Sequence, residues 1–358
     1  MIERERLIET FCELVKIDSP SGEEHNIAQY LSERLKRLGL NVTKDDYGNV
    51  IARSEGDTPL MLSAHMDTVE PGRGIAPRVN VDKIESDGTT ILGGDCKAGL
   101  TAILEALDSL NQDKVKHIPI EVVLTREEET GLIGAANLDF SLIKSKEAVV
   151  FDGEGPVSQI TSSSPTYIGF DIEITGQSAH AGVEPEKGLS AIKIAAQLIN
   201  KLPQGRLDEE TTFNIGLIEG GQVRNAVSET VNLQGEFRSM NLETLDSVNM
   251  QLMQAINEVR SAYPKAKLAE KLTTDFHTYR IDDGSSTLRR IKSGLSSLGL
   301  KPTMQRSGGG TDGNVFRKLG IDAVVVGMAD HGMHTKQEYV SIPDLMDAAH
   351  LVEALIAY

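Results

Sequence analysis

Short apolar runs, each leading into a histidine or a carboxylate and separated by helical stretches, constrain this chain more than any other feature. The runs occupy residues 60–64, 118–124, 148–151 and 323–326. Strands covered on both faces read as nearly continuous apolar runs, and their alternation with helices predicts an α/β domain with a largely parallel sheet. The spacing predicts a helix over 3–16 and a second over 22–38, whose apolar face is Ile27, Leu31, Leu35 and Leu38. Ser21-Gly22-Glu23-Glu24 has the form of a capping box at the second start.

The middle of the chain has a different period. Ile168, Phe170, Ile172 and Ile174 alternate with more polar positions, as in a half-exposed strand. A helix (about 188–202), two strands (about 211–219 and 227–239), a long amphipathic helix through Leu245, Val248, Leu252, Ile256 and Val259, and a strand ending near 276 follow. The order β-α-β-β-α-β is that of a ferredoxin-like α+β sandwich. The expected organisation is a discontinuous α/β domain, 1–164 and 278–358, with an inserted domain at 165–277. At 358 residues the chain exceeds one ordinary domain, which agrees with this division.

Composition narrows the partners. A formal charge of −17 repels nucleic acid and anionic membrane, and 4% aromatic residues with no Trp gives little surface for stacking bases. The opening MIERERLIETF lacks the apolar core of a signal peptide, and no run approaches a membrane span. Cys12 and Cys96 are the only cysteines, so a reduced, cytoplasmic protein is expected.

The chemistry lies at the ends of the apolar runs. Residues 60–64 lead to His65-Met66-Asp67, 118–124 to Glu127-Glu128-Glu129, 148–151 to Asp152, and 323–326 to His334; Asp95 sits in a glycine-rich turn before a helix expected to begin near Ala98. Ligands of open α/β sheets bind outside the carboxyl ends of the strands. Singly, each residue has a plainer explanation: a surface histidine, a solvated helix start, a turn aspartate. Their convergence on one sheet edge points instead to a metal centre. Mixed histidine and carboxylate donors suit Zn²⁺, Mn²⁺ or Co²⁺, and five such ligands hold two ions roughly 3.5–4 Å apart. Asp67, two residues past His65, is placed to accept the ring's second N–H, and residues 127–129 supply both a ligand and a general base. The Gly308-Gly309-Gly310-Thr311-Asp312 loop precedes a helix whose backbone N–H groups suit a carboxylate.

In order along the chain, HMD, GGDCKAG, EEETG, FDGEG, SAHAG, GGGTDGN and GMHTKQE resemble the M20 metallopeptidases, most closely their tripeptidase (peptidase T-like) branch. The resemblance implies a mixed-sheet, aminopeptidase-like zinc-peptidase domain with an inserted lid or dimerisation domain. It implies His65 and Asp152 on one ion, Glu129 and His334 on the other, and Asp95 bridging. Glu128 would be the general base, Asp67 the partner of His65, and Asp95-Cys96 a cis peptide. His180 would stabilise the oxyanion, with Asn225 and Arg238 on substrate oxygens and Gly309 and Gly310 beside the substrate. The implied reaction is release of N-terminal residues from small peptides, with homodimerisation through the inserted domain. A deacylase of N-acyl amino acids shares the same centre and is the alternative. One departure stands out: tripeptidases carry an arginine where this chain has Gly308, and Arg306 is the nearest preceding arginine.

Overall fold

The computed structural model describes residues Met1–Tyr358 and divides into two compact units. One comprises Met1–Ser163 with Arg280–Tyr358, the other Ser164–Tyr279.

The first unit is built on a nine-stranded mixed sheet. Its centre is four parallel strands in the spatial order Ile120–Thr125, Leu60–His65, Glu147–Gly153, Asp322–Gly327. Leu60–His65 and Ile120–Thr125 are buried at every position, which explains their unbroken apolar character. Antiparallel strands Val50–Arg53 and Asn41–Lys44 extend one side. Helices cover the sheet, among them Arg4–Val15, Gly94–Asp113 and Ile342–Ile356. Leu62, Val122, Val149 and Val324 are 0% exposed, each burial stabilising by about 1.5–3 kcal/mol. The helix Gly94–Asp113 lies close against the sheet because Gly99 has no side chain; a Cβ there would come 2.5 Å from the Phe151 carbonyl oxygen.

One local expectation is corrected. The second helix is His25–Arg37, capped at Glu24 without a side-chain bond, while Ser21 donates its hydroxyl to Asp67 Oδ2 (2.7 Å). The capping-box pattern therefore serves the site rather than the helix. The helix expected near Ala98 runs on regularly after Cys96, as expected; one helical residue, Gly94, precedes a kink with non-helical backbone at Asp95 and Cys96 and the expected cis peptide between them.

The second unit is a five-stranded antiparallel sheet, ordered Gly205–Arg206, Thr211–Gly220, Thr230–Ser239, Thr166–Thr175, Lys267–Phe276. Its helices, Ala191–Ile199 and Leu242–Ala262, contribute Ile194, Leu198, Leu245, Val248, Leu252 and Ile256 to one core. Phe170, Phe213 and Phe237 stack at its centre, with ring centroids 5.4–6.4 Å apart. The short strand Gly205–Arg206 is an addition to the ferredoxin-like order.

Candidate metal centre

The four parallel strands end at one edge of the first unit, and their ends carry the site. His65 closes its strand; its Nδ1–H donates to the Asp67 carbonyl (3.0 Å) and faces Asp67 Oδ1 at 3.2 Å. That bond fixes the ring and turns Nε2 toward Asp95 Oδ1 (2.9 Å) and Asp152 Oδ1 (3.5 Å). His334 Nε2 lies 3.2 Å from Asp95 Oδ2 and 3.0 Å from Glu129. The two oxygens of Asp95 thus address different histidines. Potential ligand atoms of His65, Asp95 and Asp152 lie within 4.8 Å of one another, as do those of Asp95, Glu129 and His334.

Asp67 does more than hold a histidine. Oδ1 accepts the Glu128 amide (3.0 Å) and Oδ2 the Glu129 amide (3.2 Å), so one buried carboxylate orients the His65 ring and the backbone of the acidic turn. That turn is entered through Glu127 at φ 48°, and His334 is held at φ 63°, left-handed conformations that non-glycine residues adopt at a cost. Glu127 itself accepts the Tyr47 hydroxyl at Oε2 (2.5 Å).

The charges require compensation. Burial, then the charge of Asp152, pushes Glu128 well above the carboxylate range; burial, then Asp95, pushes Glu129 up to about 7. Asp152 rises to about 6, chiefly by burial and against the pull of His65. Burial opposes ionisation of Asp95 too, yet His334 and His65 hold it below the usual range. Hydrogen bonds to Asp95 and Glu129 carry His334 up to about 10. Asp152 Oδ2 is buried with no hydrogen-bond partner. A crowd of buried carboxyls whose ionisation burial opposes, two imidazole Nε2 atoms turned inward and an unsatisfied carboxylate oxygen fit divalent cations bound by His and Asp/Glu. Cys96 falls within the first donor group, but its thiol donates to the Phe151 carbonyl (2.6 Å) and burial pushes its pKa far up, so it stays a structural thiol.

Three buried acids that the sequence reading did not assign complete the surroundings. Asp312 pairs with the Thr125 hydroxyl and is pushed up to about 7, mainly by burial. Glu338 binds the loop before Asp95, and burial together with the Glu338 charge drives Asp330 far up. Asp312 and Glu338 lie in the quoted motifs and Asp330 just before the last of them, but only the tertiary fold shows what they touch.

A cavity of about 450 Å³ opens at this edge, lined by Asp95, Glu128, Glu129, Asp152, His334, Arg306 and the Gly308-Gly309-Gly310 loop. The loop's donors are partly used internally: the Gly309 amide donates to Ser307 Oγ (3.0 Å), and Thr311 and Asn314 form a capping box for the seven-residue helix Asp312–Lys318. A Cβ on Gly308 would meet nothing within 4 Å. His180, Asn225 and Arg238 belong to the second unit. There the Ala181 amide donates to the Asn225 carbonyl (3.0 Å), bringing the His180 and Asn225 segments together. Arg238 is held by Glu236 (2.6 Å) over the Tyr167 ring.

An α/β sheet with two donor groups sharing one aspartate at its carboxyl edge defines the class of dinuclear-type hydrolase folds. The M20 peptidase dimerisation domain matches residues 163–264 and peptidase family M28 matches residues 49–153. The chain is 39% identical over 368 residues to the uncharacterized protein YqjE of Bacillus subtilis (strain 168), covering 99% of each. It is similar to the crystal structure of a tripeptidase from Staphylococcus aureus (TM-score 0.91, 34% identity) and of aminopeptidase PepT from Bacillus cereus (TM-score 0.86, 36% identity). Each of these covers 99% of this chain and 98% of the other. The chain belongs to the M20 peptidases, in their peptidase T-like branch. No helix is long and apolar enough to cross a membrane.

Proposed function

We propose that this protein is a metal-dependent exopeptidase that frees the N-terminal residue of small peptides. One observation carries the reading: Asp95 divides its oxygens between His65 (2.9 Å) and His334 (3.2 Å), as a ligand shared by two ions must. In this reading His65 and Asp152 hold one ion with Asp95, and Glu129 and His334 hold the other. Zn²⁺ is the expected metal, and Mn²⁺ and Co²⁺ suit the same donors. Bound there, the ions supply Lewis acidity that lowers the pKa of a water and polarises the scissile carbonyl.

The chain's own groups perform the proton work. Glu128 takes the proton of the attacking water and returns it to the leaving amine. Its burial and the nearby Asp152 charge make it a firmer proton acceptor than an ordinary glutamate. Asp67 keeps Glu128 in place through the backbone, so the base does not drift from the ligands. The cavity of about 450 Å³ accommodates a short peptide rather than a folded chain, with Gly309 and Gly310 along its wall. From the second unit, His180 stabilises the oxyanion, and Asn225 and Arg238 hold substrate oxygens. The match of a peptidase dimerisation domain to residues 163–264 supports a homodimer formed through this unit. The site of action is the cytoplasm, in keeping with two unpaired cysteines.

The glycine at 308 favours a second reading, removal of an acyl group from an N-acyl amino acid, because the tripeptidase-type arginine is missing there. A panel of dipeptides, tripeptides and N-acyl amino acids, incubated with metal-reconstituted protein and followed by mass spectrometry, decides between them. Release of free N-terminal residues is the expected result. Cleavage confined to acyl amides would transfer the protein to the deacylases.

A further inference from the structure

We infer that Glu338 is a positioning residue for Asp95: its carboxylate gathers the backbone of the loop that presents the shared ligand and fixes where the two Asp95 oxygens fall. The inference rests on the bridging role proposed above. Glu338 is 1% exposed, and what answers it is a series of consecutive backbone amides. Oε2 accepts from Leu92 (2.6 Å) and Gly93 (2.9 Å); Oε1 accepts from Gly94 (2.7 Å) and Asp95 (3.3 Å). Successive N–H groups converge on one anion in this way when the backbone passes through a left-handed residue, here Gly93 at φ 73°. Bonds to an ionised acceptor are stronger than neutral ones, and their donors belong to the very turn that sets the direction of Asp95.

A second buried acid closes the turn further. A Cβ on Gly94 would overlap the Asp330 carboxyl, so the loop has no slack for another side chain at that position. Glu338 also follows His334 by four residues, and its amide donates to the Thr335 carbonyl (3.2 Å) within that segment. One short segment therefore carries both a ligand of the second ion and the clamp on the shared ligand. The separation between Asp95 and His334 is set by that segment, although the residues are 239 apart in the chain.

A buried carboxylate can also hold a loop for stability alone, and Glu121 provides the comparison. It accepts the Ser145 amide (3.1 Å) and pairs with Arg53, at the amino end of the strand Ile120–Thr125 and away from the ligands. The experiment uses the full chain with Co²⁺ as probe, measuring affinity by chelator competition, the visible d–d spectrum, Tm, and kcat and KM on a peptide. Glu338→Gln keeps the size but sets an NH₂ group against backbone donors. It is expected to lower Co²⁺ affinity about 10–100-fold, as loss of a group supporting a ligand does, to shift the d–d bands, and to reduce kcat more than it raises KM. Glu121→Gln is expected to lower Tm with Co²⁺ affinity and spectrum unchanged. Should Glu338→Gln fail to fold, Glu338→Asp is read in its place: partial loss of affinity supports the inference, and wild-type affinity overturns it. A Glu338→Gln protein with the parent's affinity and spectrum likewise overturns it, leaving a structural clamp. If the unmutated chain takes up fewer than two Co²⁺ ions, the bridging reading fails instead.

Discussion

The two units of this molecule bury different kinds of atom. In the first, Asp95, Glu128, Asp152, Asp312, Asp330 and Glu338 are buried near one another, with Lys97 fully enclosed and its pKa lowered to about 8 by desolvation. In the second, the buried polar side chains are hydroxyls alone: Ser164, Thr166, Thr211, Ser228 and Ser239. Burying charge is costly unless it is paired, bonded or metal-bound, so its concentration in one unit marks where stability has been given up for chemistry. The second unit has the stacked core of Phe170, Phe213 and Phe237 and nothing to compensate.

This contrast is open to test. Asp95→Ala should strip both ions and reduce peptide hydrolysis by at least about a thousandfold, the scale of losing a metal-ion catalyst. Elemental analysis of the purified variant checks it, and retention of both ions would show that the shared ligand lies elsewhere. Phe237→Ala should cost about 3–5 kcal/mol of stability in denaturant unfolding, as truncation of a core aromatic does. Metal content per folded molecule should stay unchanged, and a parallel loss of metal would erase the distinction between the units. Glu128→Gln should keep the metal and lower kcat by at least about a hundredfold, the usual contribution of a general base. If stopped-flow or steady-state assays find most of the activity intact, another group is the base.

The smallest effect is on pH dependence. In the metal-free fold, burial pushes Glu129, Asp152 and Asp312 up to about 7, about 6 and about 7 from ordinary values of 4.5, 3.8 and 3.8, and hydrogen bonds to Asp95 and Glu129 push His334 up to about 10 from 6.5. Above the ordinary values the unfolded chain releases these protons while the metal-free fold retains them, so stability falls as pH rises. The lowered Asp95 acts only in more acid solution. The Tm of the metal-free protein should therefore decline between about pH 5 and pH 8, and metal should flatten the curve. A metal-free protein whose Tm rises over that range would refute the charge account.

The strand ends were readable because apolar runs of this length have few other uses, and the residues after them converge at one edge of the sheet. What escaped is instructive. Ser21 matched a helix-cap pattern, yet its hydroxyl bonds to Asp67, a partner 46 residues away that no local rule reaches. Glu338 lay within a quoted motif, but its four amide donors are more than 240 positions earlier. Asp312 reads as a helix start, and its bond to Thr125 spans 187 residues. The glycine loop's amides seemed poised for an anion, whereas Gly309 is satisfied by Ser307 two residues before it. Periodicity reports which face a residue takes; it is silent on which distant group it meets.

The order of the central sheet has a consequence for the growing chain. The strand Glu147–Gly153 pairs on one side with Leu60–His65, but its other neighbour, Asp322–Gly327, is synthesised only after the whole Ser164–Tyr279 unit. Until then a nascent chain displays an apolar, unpaired edge, the kind of surface that invites association and chaperones. His334 emerges later still. In the proposed assignment the ligand set is therefore complete only after the second unit has been made.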